Sequence, residues 1–389
     1  MISPLHTPDR TRAVDLVAEI GPRLAARAEE LDRSAAFPYE NWDDLKAAGL
    51  LGVTVPSEAG GLGIDFVGYA LVAEELASHC ASTALTFNMH VATTLLVGEI
   101  AGLLDMDDAD QAMLDDRRTT LYRGVVDEQH IHSQPFSEGV SAGATTGYAT
   151  RAKPVDGGYL VTGKKIFASL AGAADFHNVL CLVDGDDRLR LLGVPHTGDG
   201  VEIVGEWDPL GMRGTDSRNL VMTDVFVPVE HEWLPPGLFN QAAERFPYFY
   251  MTLSFAYLGL MRAIRDFTAE YLSTSGRRDF VIKQQGWTEM NICYEQAQAL
   301  CYRTLGDVQV DPDEACVRRA MTSMVTTMEG APQMASTAIR ICGGRSMLRP
   351  SFIERAYRDA RCGATMLPWS VEVCLERLGR SGLFVADEE

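Results

Sequence analysis

The apolar residues of this chain change their spacing twice, and this limits the fold more than any other feature. Over residues 11–102, and again from Phe249 onward, they recur every three to four positions, whereas over residues 121–236 they alternate. The first spacing marks helices that bury one face, the second strands that bury one. In the opening third, Ala13, Leu16, Val17, Ile20, Leu24 and Ala28 share one face. Asp43 and Asp44 read as the N-cap of a short helix carrying Leu45 and Ala48, and 66–78 and 81–103 read as two further helices. In the middle third, 159–163, 178–183, 189–195, 201–204 and 219–228 read as strands separated by Asp/Gly turns, which predicts a small antiparallel sheet. The last third carries four apolar faces, led by Leu253, Ile292, Met321 and Val371, and predicts a helical bundle with its methionines as core filler. The expected class is α+β, mainly α: an N-terminal helical domain over 1–120, a middle antiparallel β domain of barrel or sandwich form over 121–236, and a C-terminal four-helix bundle over 237–389.

Charge then narrows the partners. Fifty-four acidic against 34 basic residues give a formal charge of -20, which argues against nucleic acid or an anionic membrane, since both require clustered Lys and Arg. Small polyanions stay open, because local backbone nests and helix N-termini can hold them. No apolar run approaches the ~18 residues of a membrane span, and the start MISPLHTPDR lacks a basic-then-apolar leader pattern, so a cytoplasmic protein is expected. Eight cysteines are scattered without a C-x-x-C or a histidine at zinc spacing, which predicts reduced thiols and no metal.

Three stretches carry more than periodicity. One runs from Phe37-Pro-Tyr-Glu-Asn-Trp through Leu45-Lys-Ala-Ala-Gly-Leu-Leu-Gly-Val-Thr-Val-Pro-Ser-Glu-Ala-Gly-Gly-Leu-Gly63; by itself its glycine-rich end is a turn, with no Walker or Rossmann spacing. Another is Leu210-Gly-Met-Arg-Gly-Thr-Asp-Ser217 followed by Asp224-Val-Phe-Val-Pro228. The third, Ile341-Cys-Gly-Gly344 with Glu354-Arg-Ala-Tyr-Arg-Asp-Ala-Arg361, pairs a turn that permits positive φ with a charged helix. Thr86-Phe-Asn-Met-His90 adds polar groups inside a helix, read either as a satisfied core histidine or as a polar patch at a cleft.

Taken in this order along nearly the whole chain, these stretches resemble the acyl-CoA dehydrogenase superfamily. The resemblance implies a bound FAD, a homotetramer or homodimer, an acyl thioester on CoA or a carrier protein as substrate, fatty acid metabolism, and an electron-transfer flavoprotein as acceptor. Phe136-Ser137-Glu138 falls on the family's Thr-Glu-Pro loop at the flavin ring, and Phe167-Ala168-Ser169 on its Trp-Ile-Thr, whose aromatic covers the ring and whose hydroxyl bonds its edge. Ordinary core Phe and turn Ser are the alternative reading of the same positions. Gly343 and Gly344 match the turn that reaches a neighbouring subunit's cofactor, with Arg340 where Gln is usual. Arg278 and Gln284 fall in a shortened version of the family's phosphate-binding segment.

The resemblance also implies a catalytic carboxylate to remove the thioester α-proton, and the two positions where the family carries it are Leu367 and Phe249 here. Three explanations compete: a dehydrogenase with its base elsewhere, a flavin monooxygenase of the same fold using reduced flavin and O2 on another small molecule, or a protein that binds flavin or thioester without turnover. Glu138, Asp127, Glu128 and Tyr250 are the residues to weigh as a displaced base, and Phe249, Met366, Leu367 and Trp369 sketch the substrate pocket.

Overall fold

A computed structural model describes residues 5–139, 148–366 and 368–383. Five helices open the chain: α1 (Pro8–Ser34), α2 (Tyr39–Ala47), α3 (Phe66–His79), α4 (Ala81–Leu95) and α5 (Asp108–Val126). The hydroxyl of Thr7 accepts the Arg10 N–H at the start of α1, and Val17, Ile20 and Leu24 on its inner face are fully buried. The second helix begins earlier than its acidic pair suggests. Pro38 occupies the N-cap, and Asp44 lies within the helix as the partner of Arg23 (2.8 Å) and Arg27 (2.7 Å) on α1. Helix α4 runs directly into a π-helical turn, Leu96–Ile100.

Seven strands follow: β1 (His132–Ser133), β2 (Arg151–Val155), β3 (Gly158–Lys165), β4 (Phe176–Val183), β5 (Leu189–Pro195), β6 (Val201–Val204) and β7 (Asn219–Pro228). They form one sheet in the order β1-β4-β2-β3-β7-β6, with β5 on β4. The sheet is mixed: β4 pairs in parallel with both β1 and β2, while the remaining pairings are antiparallel. Alternation shows which face a strand buries, not its direction. A separate small core of Val161, Val179, Leu192, Leu220 and Val225 lies under this sheet.

Helices α6 (Leu238–Arg245), α7 (Thr252–Thr274), α8 (Val281–Gly306), α9 (Glu314–Cys342), α10 (Phe352–Cys362) and α11 (Val371–Leu383) complete the chain. The anticipated methionines of α9 are core residues, with Met324, Met328 and Met334 almost fully buried. Helices α3 and α7 meet at Gly259, where a Cβ would stand 2.1 Å from the Glu74 carbonyl oxygen, so only glycine permits that approach. The charged helix α10 is docked: Arg358 pairs with Glu354 of its own turn and with Asp32 of α1 (2.6 Å), and donates to the Leu210 carbonyl. Among the described residues no helix is long and apolar enough to cross a membrane, all eight cysteines are free, and no group of three His, Cys, Asp or Glu could hold a metal ion.

Candidate functional site

The loop after β1 is pinned by its own acid. Glu138 accepts the Ala149 and Thr150 backbone N–H groups, the Thr150 hydroxyl and the Lys165 ammonium, with side-chain exposures of 0% for Lys165 and 5% for Glu138. Burial alone raises the glutamate's pKa, but the Lys165 and Thr150 hydrogen bonds outweigh it and hold the carboxyl below its ordinary value. Glu138 is therefore an ionised, fully engaged clamp, which ill suits a general base. Lys165 also donates to the Leu180 carbonyl and lies 4.8 Å from the centre of the Tyr148 ring. The clamp sets the neighbouring residues: the Ser137 carbonyl accepts the Ile166 N–H at 2.8 Å, and Phe136 packs edge-on against Phe239 of α6 at 5.5 Å. The small-residue run at 140–147 lies outside the described residues.

A second loop, after β3, stands beside the first. Phe167 has φ 52° and is 65% exposed, meeting Trp207 edge-on at 6.5 Å, so one face of its ring is free for a flat ligand. Ala168 is fully buried and contributes its backbone, donating to the Arg218 carbonyl. Ser169 Oγ hydrogen-bonds Ser217 Oγ at 2.8 Å, which in turn bonds Thr215 Oγ1 at 2.7 Å. Backbone bonds from Leu170 and Ala171 to Thr215 and Asp216 zip this loop to the segment before β7. Gly211 allows that segment to lie on α10, since a Cβ there would meet the Arg358 backbone at 2.4 Å.

The bundle carries the predicted substrate-pocket residues. Phe249 is buried in a 3-10 turn before α7, and Tyr250 beside it lies 5.9 Å from Trp369, ring centre to ring centre. Neither the Tyr250 hydroxyl nor Trp369 Nε1 has a hydrogen-bond partner among the described residues. Burial pushes the Tyr250 pKa well up, so the phenol stays protonated at neutral pH and acts as a donor, not a base. Burial raises the Tyr148 pKa as well, with smaller contributions from Tyr250 and Glu138. Met366 Sδ accepts the Tyr257 hydroxyl at 3.9 Å. Leu367 lies outside the described residues, and the other family base position is the apolar Phe249. Asp127 is the exposed C-cap residue of α5, and Glu128 pairs with Arg123 and His130.

The remaining predicted residues stand apart, at the α7–α8 turn and the end of α9. Arg277 donates to the Cys342 carbonyl at 2.8 Å and joins the two. Arg278 is exposed and Gln284 donates to its carbonyl; Arg340 pairs with Glu289, and Gly343 turns the chain at φ 90°, followed by Gly344. Among the described residues no hydrogen bond or ion pair links this edge to Ser137 or Ser169.

Sequence reasoning passed over Lys165, Tyr148, Trp207, Thr215 and Ser217. Lys165 lies in the Gly163–Ser169 stretch that carries Phe167 and Ser169, and Thr215 and Ser217 in the Leu210–Ser217 stretch, whereas Tyr148 and Trp207 carried no signal. His90, the other polar signal, is a satisfied core residue: Nε2 bonds the Leu51 carbonyl at 3.0 Å, Nδ1 accepts the His132 N–H, and burial drops its pKa to about 4.

Comparison with known proteins agrees with this layout. Residues 10–99 match the acyl-CoA dehydrogenase N-terminal domain, 137–225 the middle domain and 239–367 the C-terminal domain. L-evernosamine nitrososynthase of a Micromonospora strain is 26% identical, over 97% of this chain and 91% of its own. Mitochondrial isovaleryl-CoA dehydrogenase of Arabidopsis thaliana is 25% identical, over 87% of this chain and 82% of its own. The structure of KijD3 with FMN and dTDP-3-amino-2,3,6-trideoxy-4-keto-3-methyl-D-glucose superposes with a TM-score of 0.84 at 23% identity, covering 97% of this chain and 95% of the other. With all three domains matched in order, the chain belongs to the acyl-CoA dehydrogenase family of flavin-dependent enzymes.

Proposed function

We propose that the chain is a flavin-dependent monooxygenase that uses reduced flavin and O2 to oxygenate a small molecule. The carrying observation is that no free carboxylate stands at the candidate site among the described residues: Phe249 is apolar and Glu138 is bound to Lys165, Thr150 and Ala149, while the sequence has leucine at 367. Oxygenation by reduced flavin needs no base on a substrate carbon, whereas α,β-desaturation does. The nitrososynthase relative, spanning almost the whole chain, supports the same direction, because building a nitroso group adds oxygen to nitrogen.

The residues fit a flavin ring. Phe167 offers an aromatic face, Ser137 and the Ser169–Ser217–Thr215 chain offer polar groups for its edge, and the Glu138–Lys165 pair fixes the loop that presents them. When bound, the reduced flavin would supply the electrons that activate O2. In this reading the buried Phe239, Phe249 and Trp369, with the partly buried Phe136 and Met366, form the apolar side of the substrate space and keep water from it. Arg278, Gln284, Arg340, Gly343 and Gly344 lie on a different edge, so in this reading they reach the phosphate end of a flavin held by a second copy, making the protein a homodimer or homotetramer. FAD is the cofactor that the family implies; FMN is the one bound by KijD3. A cytoplasmic location belongs to the same proposal.

Desaturation of an acyl thioester by transfer of hydride to FAD, with an electron-transfer flavoprotein as acceptor, is the second reading, favoured by the isovaleryl-CoA dehydrogenase match. One experiment separates the two. Under argon, acyl-CoA thioesters of several chain types should leave the flavin oxidised, while added reduced flavin should be consumed with O2 in the presence of a substrate amine, ketone or aromatic. Bleaching of the flavin by any thioester would overturn the monooxygenase reading. A protein that takes up no flavin would overturn both.

A further inference from the structure

Among the described residues eleven buried side-chain polar atoms lack a hydrogen-bond partner, and two of them, the Tyr250 hydroxyl and Trp369 Nε1, are donors on rings that lie 5.9 Å apart. Buried polar groups are usually satisfied, and two unmet donors on adjoining rings mark one place where a ligand oxygen would meet both. They come from separate segments, the turn before α7 and the loop before α11, so one local distortion does not account for both. The flavin-loop side has its own polar groups in place: Ser137, the Ser169–Ser217–Thr215 chain, and Lys165 over the Tyr148 ring.

We infer that Tyr250 and Trp369 together grip one neutral acceptor oxygen of the substrate, such as a ketone or amide carbonyl, and so select carbonyl-bearing molecules. The inference rests on the reading that substrate lies between the bundle wall and the flavin loop. Both groups present a proton: indole nitrogen only donates, and burial keeps the phenol protonated. A neutral acceptor suits the surroundings, because the apolar Phe249 packs against Tyr250 and the nearby cation Arg377 is exposed on α11. A substrate lacking the oxygen would leave both donors desolvated and unmet, and that penalty is what makes such a site selective.

The test uses two probes of the same shape, acetophenone and α-methylstyrene, which differ only in a carbonyl oxygen against a methylene. Dissociation constants are measured under argon on the flavin-loaded protein, from the perturbation of the flavin spectrum. Wild type should prefer acetophenone by about tenfold or more, and Tyr250→Phe and Trp369→Phe should each shrink that ratio severalfold while leaving α-methylstyrene binding nearly unchanged. Tyr250→Phe removes only an unpartnered hydroxyl, so the fold should persist, and far-UV circular dichroism checks it. An equal ratio in wild type and Tyr250→Phe, or binding of neither probe at millimolar concentration, overturns the inference. Because no turnover is measured, loss of the monooxygenase reading in the oxygen experiment and loss of the acceptor preference here are separate outcomes.

Discussion

The Asp359 carboxylate accepts the Met212 backbone N–H at 2.5 Å, joining α10 to the segment that carries Thr215 and Ser217, 147 positions away in the chain. Burial raises the Asp359 pKa from 3.8 to about 6, against the opposing pull of the Met212 bond. For an acid raised on folding, the stabilising contribution is whole below 3.8 and is lost as pH rises through 6. The displacement corresponds to an upper bound of about 3 kcal/mol. Asp359→Asn keeps an acceptor for Met212 and carries no charge. It should be more stable than wild type by about 1–3 kcal/mol at pH 7 and no more stable near pH 4, as read by urea unfolding. An identical difference at both pH values would show that Asp359 does not titrate this way.

Glu138 and Lys165 form the other buried junction under the site. Glu138→Gln should cost about 3–5 kcal/mol of unfolding free energy, because it leaves the Lys165 ammonium buried without its partner. The double variant Glu138→Leu with Lys165→Met should recover most of that loss. Were Glu138 a displaced catalytic base, Glu138→Gln would keep its stability and lose turnover instead, so thermal unfolding and activity together distinguish clamp from base.

Much of this architecture is legible in the chain, and the failures have physical causes. Helix and strand faces such as Val17–Ile20–Leu24 and Met324–Met328 follow from local periodicity, which burial enforces residue by residue. The start of α2 was hidden because Asp43 and Asp44 look like a cap, whereas Asp44 faces arginines of another helix. The parallel partners of β4 and the π turn at Leu96–Ile100 leave no mark on apolar spacing. At the candidate site, Phe136, Ser137, Phe167 and Ser169 carry a motif signal. The contacts that hold them, Glu138 to Lys165 and Ser169 to Ser217, join residues 27 and 48 positions apart and emerge only on folding.

That hydroxyl chain yields a third prediction. Ser217 bridges Ser169 and Thr215, so Ser217→Ala removes the group that orients the Ser169 hydroxyl. The fold should lose about 1 kcal/mol, and flavin affinity should fall about three- to tenfold, measured by fluorescence titration of apoprotein. Unchanged affinity would mean that Ser169 is not held for the flavin edge.

The buried histidines predict the acid limb. His177 shares hydrogen bonds with Ser133 and His196, and burial drops its pKa to about 3; His90 falls to about 4 for the same reason. For a base depressed on folding, stability is whole above the unfolded value of 6.5 and is lost as pH falls toward the folded value. Between pH 6.5 and 4 this loss runs opposite to the gain from protonating Asp359, so wild type should show a shallow slope there. Asp359→Asn removes the compensating arm. Its unfolding should take up about one more proton than wild type near pH 5, so its stability should fall more steeply from pH 6.5 to 4 and converge on that of wild type near pH 4. Equal proton uptake in the two proteins would mean that the histidines and Asp359 are not the groups that set the acid limb.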